Sequence, residues 1–104
     1  MWLPGTPITL TEARQQLTST VGLVKAIKFM QDPSNTQPIY WGDSTLDQTA
    51  GPKAGVSGIV PNPTTEIPAP QETIYETDAP NGLNANLVYV SAVGGTLLWS
   101  YLIQ

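Results

Sequence analysis

The strongest acid–base side chains in this chain are its eight carboxylates, because it contains no cysteine and no histidine. Without those two residues there is no thiolate nucleophile, no imidazole base and no Cys/His ligand set for zinc. A glycosidase needs two carboxylates roughly 5–10 Å apart in a cleft, and the linear order identifies no such pair. We therefore expect a protein that is not an enzyme, with no catalytic, metal or cofactor site. The carboxylates are Glu12, Asp32, Asp43, Asp47, Glu66, Glu72, Glu76 and Asp78.

Two local segments have features of ligand sites. Asp43 and Asp47 flank a polar stretch in which Ser44 and Thr45 supply further oxygens for Ca²⁺. Calcium loops, however, alternate Asp or Asn and end on Glu, and this stretch lacks that spacing, so we interpret it as a solvated turn. The glycine-containing segment 51–55 has no strand-to-helix context and is not a phosphate loop.

The aromatic residues admit two interpretations. Tyr40, Trp41 and Trp99 would suit a platform on which a sugar stacks, but aromatics in a domain this small more often anchor a core or a subunit interface. Near the start of the chain, we predict that Trp2 and Leu3 dock into a partner; the alternative is packing on the protomer's own sandwich. The candidate interface residues are Trp2, Leu3, Tyr40, Trp41, Trp99 and Tyr101.

Length and composition limit the partners. A chain of 104 residues forms one domain with a modest core, so oligomerisation is the expected source of extra stability. The net charge is −4 with four basic residues, which argues against nucleic-acid binding. No long apolar run indicates a signal peptide or a membrane helix, and we expect no membrane partner.

Ten prolines and nine glycines favour many short strands. We predict an arm or edge segment over residues 1–20 and a β-sandwich domain over 21–104. Residues 11–17 suit either a helical turn or a strand. The other predicted strands span residues 23–30, 39–41, 56–60 and 73–77, with turns at 33–36, 42–44 and 78–82 and a proline-rich loop at 61–70.

The clearest local pattern is at the end of the sequence. Residues 86–93 and 96–103 are strand-like and flank Gly94-Gly95, which predicts a hairpin with a two-residue turn. Both faces of that hairpin are largely apolar, so we expect each to be covered. Together these features predict an all-β fold: a small single-domain antiparallel β-sandwich, jelly-roll or immunoglobulin-like, with an extended N-terminal arm.

Over residues 24–103 the chain resembles small β-sandwich accessory virion proteins of tailed bacteriophages. The resemblance lies in the strand at 26–29, in Ser34-Asn35-Thr36 before the segment 38–42, and in the glycine hairpin near the end. Leu46, Gly51, Gly55 and the segment 86–90 also match. The loop at 61–70 departs from the usual pattern.

The resemblance implies a non-enzymatic capsid decoration or cement protein on the virion surface, assembled in the host cytoplasm. Such a protein is expected to form a homotrimer and to bind the major capsid protein on the outer face of the head, through its loops and its arm at residues 1–10. Alternatives are a tail, baseplate or head-fibre component, or a carbohydrate-binding module for host recognition.

Overall fold

Short strands separated by proline and glycine form two antiparallel sheets that pack face to face. The computed structural model describes residues 1–32, 34–49, 54–61, 72–76 and 82–103. Within those residues the elements are β1 (Trp2–Pro4), β2 (Ile8–Thr9), β3 (Gln15–Gln16), β4 (Leu23–Val24), β5 (Ala26–Gln31), β6 (Ile39–Asp47), β7 (Ala54–Val60), β8 (Glu72–Glu76), β9 (Leu83–Asn84), a 3₁₀ turn (Ala85–Leu87), β10 (Tyr89–Ser91) and β11 (Thr96–Leu102).

The first sheet has the strand order β1-β11-β5-β8, and β2 also pairs with β11. β1 and β2 therefore lie end to end along one side of β11, as an edge segment of the protomer's own sheet. The second sheet has the order β3-β10-β6-β7. A small separate ladder joins β4 to β9.

The core lies between the two sheets. In the first sheet, Phe29 pairs with Trp99 and their row faces inward; in the second, Trp41 pairs with Val90. The rings of Phe29 and Trp41 stack across the interface, with centroids 5.1 Å apart. One contiguous apolar cluster thus joins both sheets, and the predicted all-β sandwich is confirmed.

The predicted C-terminal hairpin is wrong. β10 pairs with β3 and β6 in the second sheet, whereas β11 pairs with β1, β2 and β5 in the first. The segment between them crosses from one sheet to the other instead of turning back on itself. In β11, Leu97 and Trp99 are buried in the core, whereas Leu98 and Leu102 on the opposite face are half-buried. The local glycine pair allows a turn, but long-range pairing determines where each strand goes.

Two other predicted boundaries shift. The expected strand at 23–30 breaks at Lys25 into β4 and β5, which belong to different ladders. The expected turn at 42–44 is continuous strand, because β6 runs on to Asp47 through an irregular pairing with β7 that centres on Gly42. A Cβ on Gly42 would collide with the carbonyl oxygen of Gly55, so glycine is what allows this close approach.

Residues 11–17 contain the strand β3 and no helical turn. The strand predicted at 73–77 corresponds to β8, which pairs with β5, and that predicted at 56–60 lies within β7. The predicted proline-rich loop at 61–70 lies outside the described residues apart from Pro61. The predicted turns at 33–36 and 78–82 lie only partly within the described residues.

Candidate functional site

The two tryptophans considered as sugar platforms are part of the core. Trp41 is 8% exposed and Trp99 is 6% exposed. The Trp99 indole N–H donates to the carbonyl oxygen of Thr6 at 2.7 Å, and the backbone of Gly5 lies directly against its ring. Gly58 lies in the same way against Trp41. Neither indole therefore presents an open ring face on which a sugar would stack.

Of the remaining predicted interface residues, Leu3 and Tyr101 are cross-strand neighbours in the first sheet, whereas Tyr40 lies in the second sheet. Tyr101 is half-buried beside Trp99, with ring centroids 5.6 Å apart. Tyr40 is half-buried on the outer face of the second sheet, in register with the exposed Ile59. Trp2 and Leu3 lie on the edge strand β1. The six residues do not converge on one surface.

The edge strand β1 has its own local anchors. The Lys28 ammonium lies 4.9 Å from the centroid of the Trp2 ring, and Trp2 is 39% exposed. The Gly5 N–H donates to Trp99 O at 2.8 Å, so by strand alternation the backbone of Pro4 faces away from β11. Proline has no N–H to offer on that side, which protects the edge against further strand pairing.

Three aspartates share one local arrangement. In Asp32, Asp43 and Asp47, Oδ1 accepts hydrogen bonds from the backbone N–H and the hydroxyl of the residue two positions later. Those residues are Ser34, Thr45 and Thr49. The Ser34 hydroxyl, with its N–H, holds the pKa of Asp32 below its ordinary value. The Thr45 hydroxyl and N–H lower the pKa of Asp43 in the same way. These carboxylates thus shape the backbone. Among the described residues, no three acidic, His or Cys side chains are grouped to hold a metal ion.

Sequence reasoning missed a buried amide network at the crossing between the sheets. Asn35 Nδ2 donates to Gln31 Oε1 and to Thr96 O, both at 2.6 Å, and Asn35 Oδ1 accepts from Thr96 N at 2.9 Å. Gln31 in turn donates to Val60 O at 3.1 Å. The signal was the segment Ser34-Asn35-Thr36, but nothing in it indicated a partner 61 positions away.

A cleft of about 450 Å³ opens beside the irregular pairing of β6 and β7. Trp41, Gly42, Asp43 and Ser57 form one wall. The other wall comes from β9 and the 3₁₀ turn, and includes Leu83, Asn84, Leu87 and Val88.

A second cleft of about 450 Å³ also borders β6, which contributes Ser44, Leu46 and Asp47 to its lining. It contains Arg14, whose guanidinium lies 3.5 Å from Leu46 O, as well as Asp47 and Tyr89. The two clefts therefore differ in charge: the first carries a carboxylate and the second carries the chain's one arginine beside a carboxylate.

Comparison with known proteins identifies no relative: no family model, curated protein or solved structure matches this chain. In the part of the chain described here, no helix is long and apolar enough to cross a membrane.

Proposed function

We propose that this protein is a non-enzymatic structural protein of a tailed-phage virion, a homotrimeric decoration protein that binds the major capsid protein on the outside of the head. The assignment to a phage head rests on the sequence resemblance. A contact role is supported more generally by the polar side chains. The buried amides and the aspartates of the three turns form hydrogen bonds within the fold.

The observation that carries the proposal is an exposed apolar group at one end of the first sheet. Met1, Trp2 and Ile103, called here the Trp2 patch, are 77%, 39% and 39% exposed. Met1 and Ile103 are cross-strand neighbours, because the Ile103 N–H donates to Met1 O at 3.3 Å, and Trp2, opposite Leu102, projects from the other face of the same strand end. Exposed apolar side chains concentrated at one end of a sheet favour a protein–protein contact.

The test is binding to tailed-phage heads that lack the protein. We expect saturable binding at a fixed ratio to the major capsid subunit, and light scattering of the free protein should give the mass of a trimer. Trp2→Ser should weaken binding in a protein that remains folded under the conditions of the binding measurement.

Leu23→Ser is the matched control, because Leu23 is equally apolar and 62% exposed but lies in the β4–β9 ladder. Equal losses in the two variants would contradict the Trp2 patch as the contact. Absence of saturable binding to any head, together with selective binding on a glycan array, would contradict the structural role. Deleting residues 1–10 is a poor test, since it also removes the edge strands β1 and β2.

A further inference from the structure

The cleft between β6 and β9 has a polar end and an apolar side. Among the described residues that line it, Asp43 is the one charged side chain. The bonds from Thr45 both end on Asp43 Oδ1. A carboxylate has about four acceptor positions, so Oδ2 retains capacity for a donor that enters from outside.

The apolar side of the cleft is contributed mainly by leucine. Leu83 and Val88 are buried, whereas Leu87 is 66% exposed at the rim. An exposed leucine across a cleft from a carboxylate suits a ligand with an aliphatic stem and a positively charged end. The cleft volume falls within the roughly 300–1,000 Å³ common for ligand sites.

We propose that this cleft receives a basic side chain, lysine or arginine, from a partner protein. The cationic head pairs with Asp43 and the methylene stem packs on Leu87 and Leu83, the way long basic side chains bury their stems. The net charge of −4 favours the approach of a basic partner surface. This inference concerns the chemistry of the contact and does not depend on the partner being a capsid protein.

The test is an amide NMR titration of the whole protein with Nα-acetyl-lysine methylamide. The uncharged norleucine analogue, which has a similar stem, is titrated in parallel. We expect saturable shifts for the lysine probe at Gly42, Ser57 and Leu87, and weaker binding as salt is added. Signals of Ala13 and Arg14, which line the second cleft, should not follow the same curve.

Asp43→Asn should weaken binding of the lysine probe about tenfold, the loss expected for a hydrogen bond to a charged group. Asp32→Asn is the matched control: it removes the same charge from the same kind of turn but lies outside the cleft. Unchanged amide signals of the core residues Ile27 and Trp99 would show that both variants keep the fold.

Three outcomes would overturn the proposal. One is the absence of saturable shifts at the cleft with the lysine probe. Another is equal binding of the norleucine analogue, which would make the contact purely apolar. The third is an equal loss in Asp32→Asn and Asp43→Asn, which would make it an effect of overall charge.

Discussion

Individual polar side chains in this protein act as substitutes for backbone. The Asn35 amide forms with Thr96 the pair of hydrogen bonds that a neighbouring strand would form, and it does so where the chain crosses between sheets. Gly95 makes this possible: its φ is 98°, and a Cβ there would press on the Asn35 amide. One amide and one glycine thus hold the start of β11 in place.

Replacing Asn35 by Ala should lower the free energy of unfolding by about 2–4 kcal/mol, because it leaves Thr96 N–H and Gln31 Oε1 without their partner inside the fold. Chemical denaturation measures the change. Thr36→Ala, at the adjacent exposed position, is the control and should stay within about 0.5 kcal/mol of the original protein. Similar losses in both variants would argue against the amide network.

The turn aspartates predict a pH dependence. Hydrogen bonds lower the folded-state pKa of Asp32 and Asp43 below 3.8, so the unfolded chain takes up protons first as the pH falls. Their contribution to stability is complete above that value and is lost as the pH falls through the folded pKa. In Asp32→Asn/Asp43→Asn the unfolding free energy should therefore fall less steeply below about pH 4.

Urea unfolding at a series of pH values measures this slope. Asn keeps the Oδ1 acceptor for the turn, so the double variant is expected to fold. Glu12→Gln removes a charge elsewhere and serves as the control. An unchanged slope in the double variant would contradict a role for these two turns in acid stability.

At the scale of elements, β6 is the strand around which the second sheet and both clefts are organised. Its first half pairs regularly with β7 and β10, whereas its second half, from Asp43, continues beyond β10. β6 has no β10 partner beyond Gly42 because β10 begins only at Tyr89, after the 3₁₀ turn, and the projecting half of β6 contributes to both clefts. The candidate binding cleft therefore lies where β6 extends past β10.

Gly42→Ala should destabilise the protein by about 3 kcal/mol or more, since the new Cβ would overlap the Gly55 carbonyl oxygen and force the strands apart. Gly22→Ala provides a control, because a Cβ at Gly22 meets no atom within 4 Å. Its effect should remain within about 1 kcal/mol of zero. Thermal unfolding compares the two, and a mild effect of Gly42→Ala would show that the strands can separate there at little cost.

At the scale of the whole molecule, the arm and the sandwich form one unit. Leu10 and Leu17 belong to the same apolar cluster as Phe29 and Trp41. The arm also bonds to the crossing segment, since Leu10 N donates to Gly95 O at 2.9 Å and Ala92 N donates to Thr11 O at 3.1 Å. The first 20 residues are thus tied to both sheets.

We therefore expect a single cooperative unfolding transition. Tryptophan fluorescence and far-ultraviolet circular dichroism should give the same midpoint in denaturant. Trp99 makes fluorescence sensitive to the arm, because its indole N–H bonds to Thr6 O. A fluorescence change that precedes the loss of strand signal would mean that the arm detaches before the sandwich unfolds.

The sequence by itself determined the class of structure, because strand propensity, proline and glycine act locally and exclude long helices. It also determined that position 4 cannot donate a backbone hydrogen bond to another strand, because Pro4 has no N–H whatever its surroundings. Only the tertiary structure decided that the Gly94-Gly95 segment joins two sheets, that Trp41 and Trp99 lie in the core, and that Asp43 faces a leucine-lined cleft. These features depend on contacts between residues far apart in the chain, and a local pattern carries no information about which distant strand will pair.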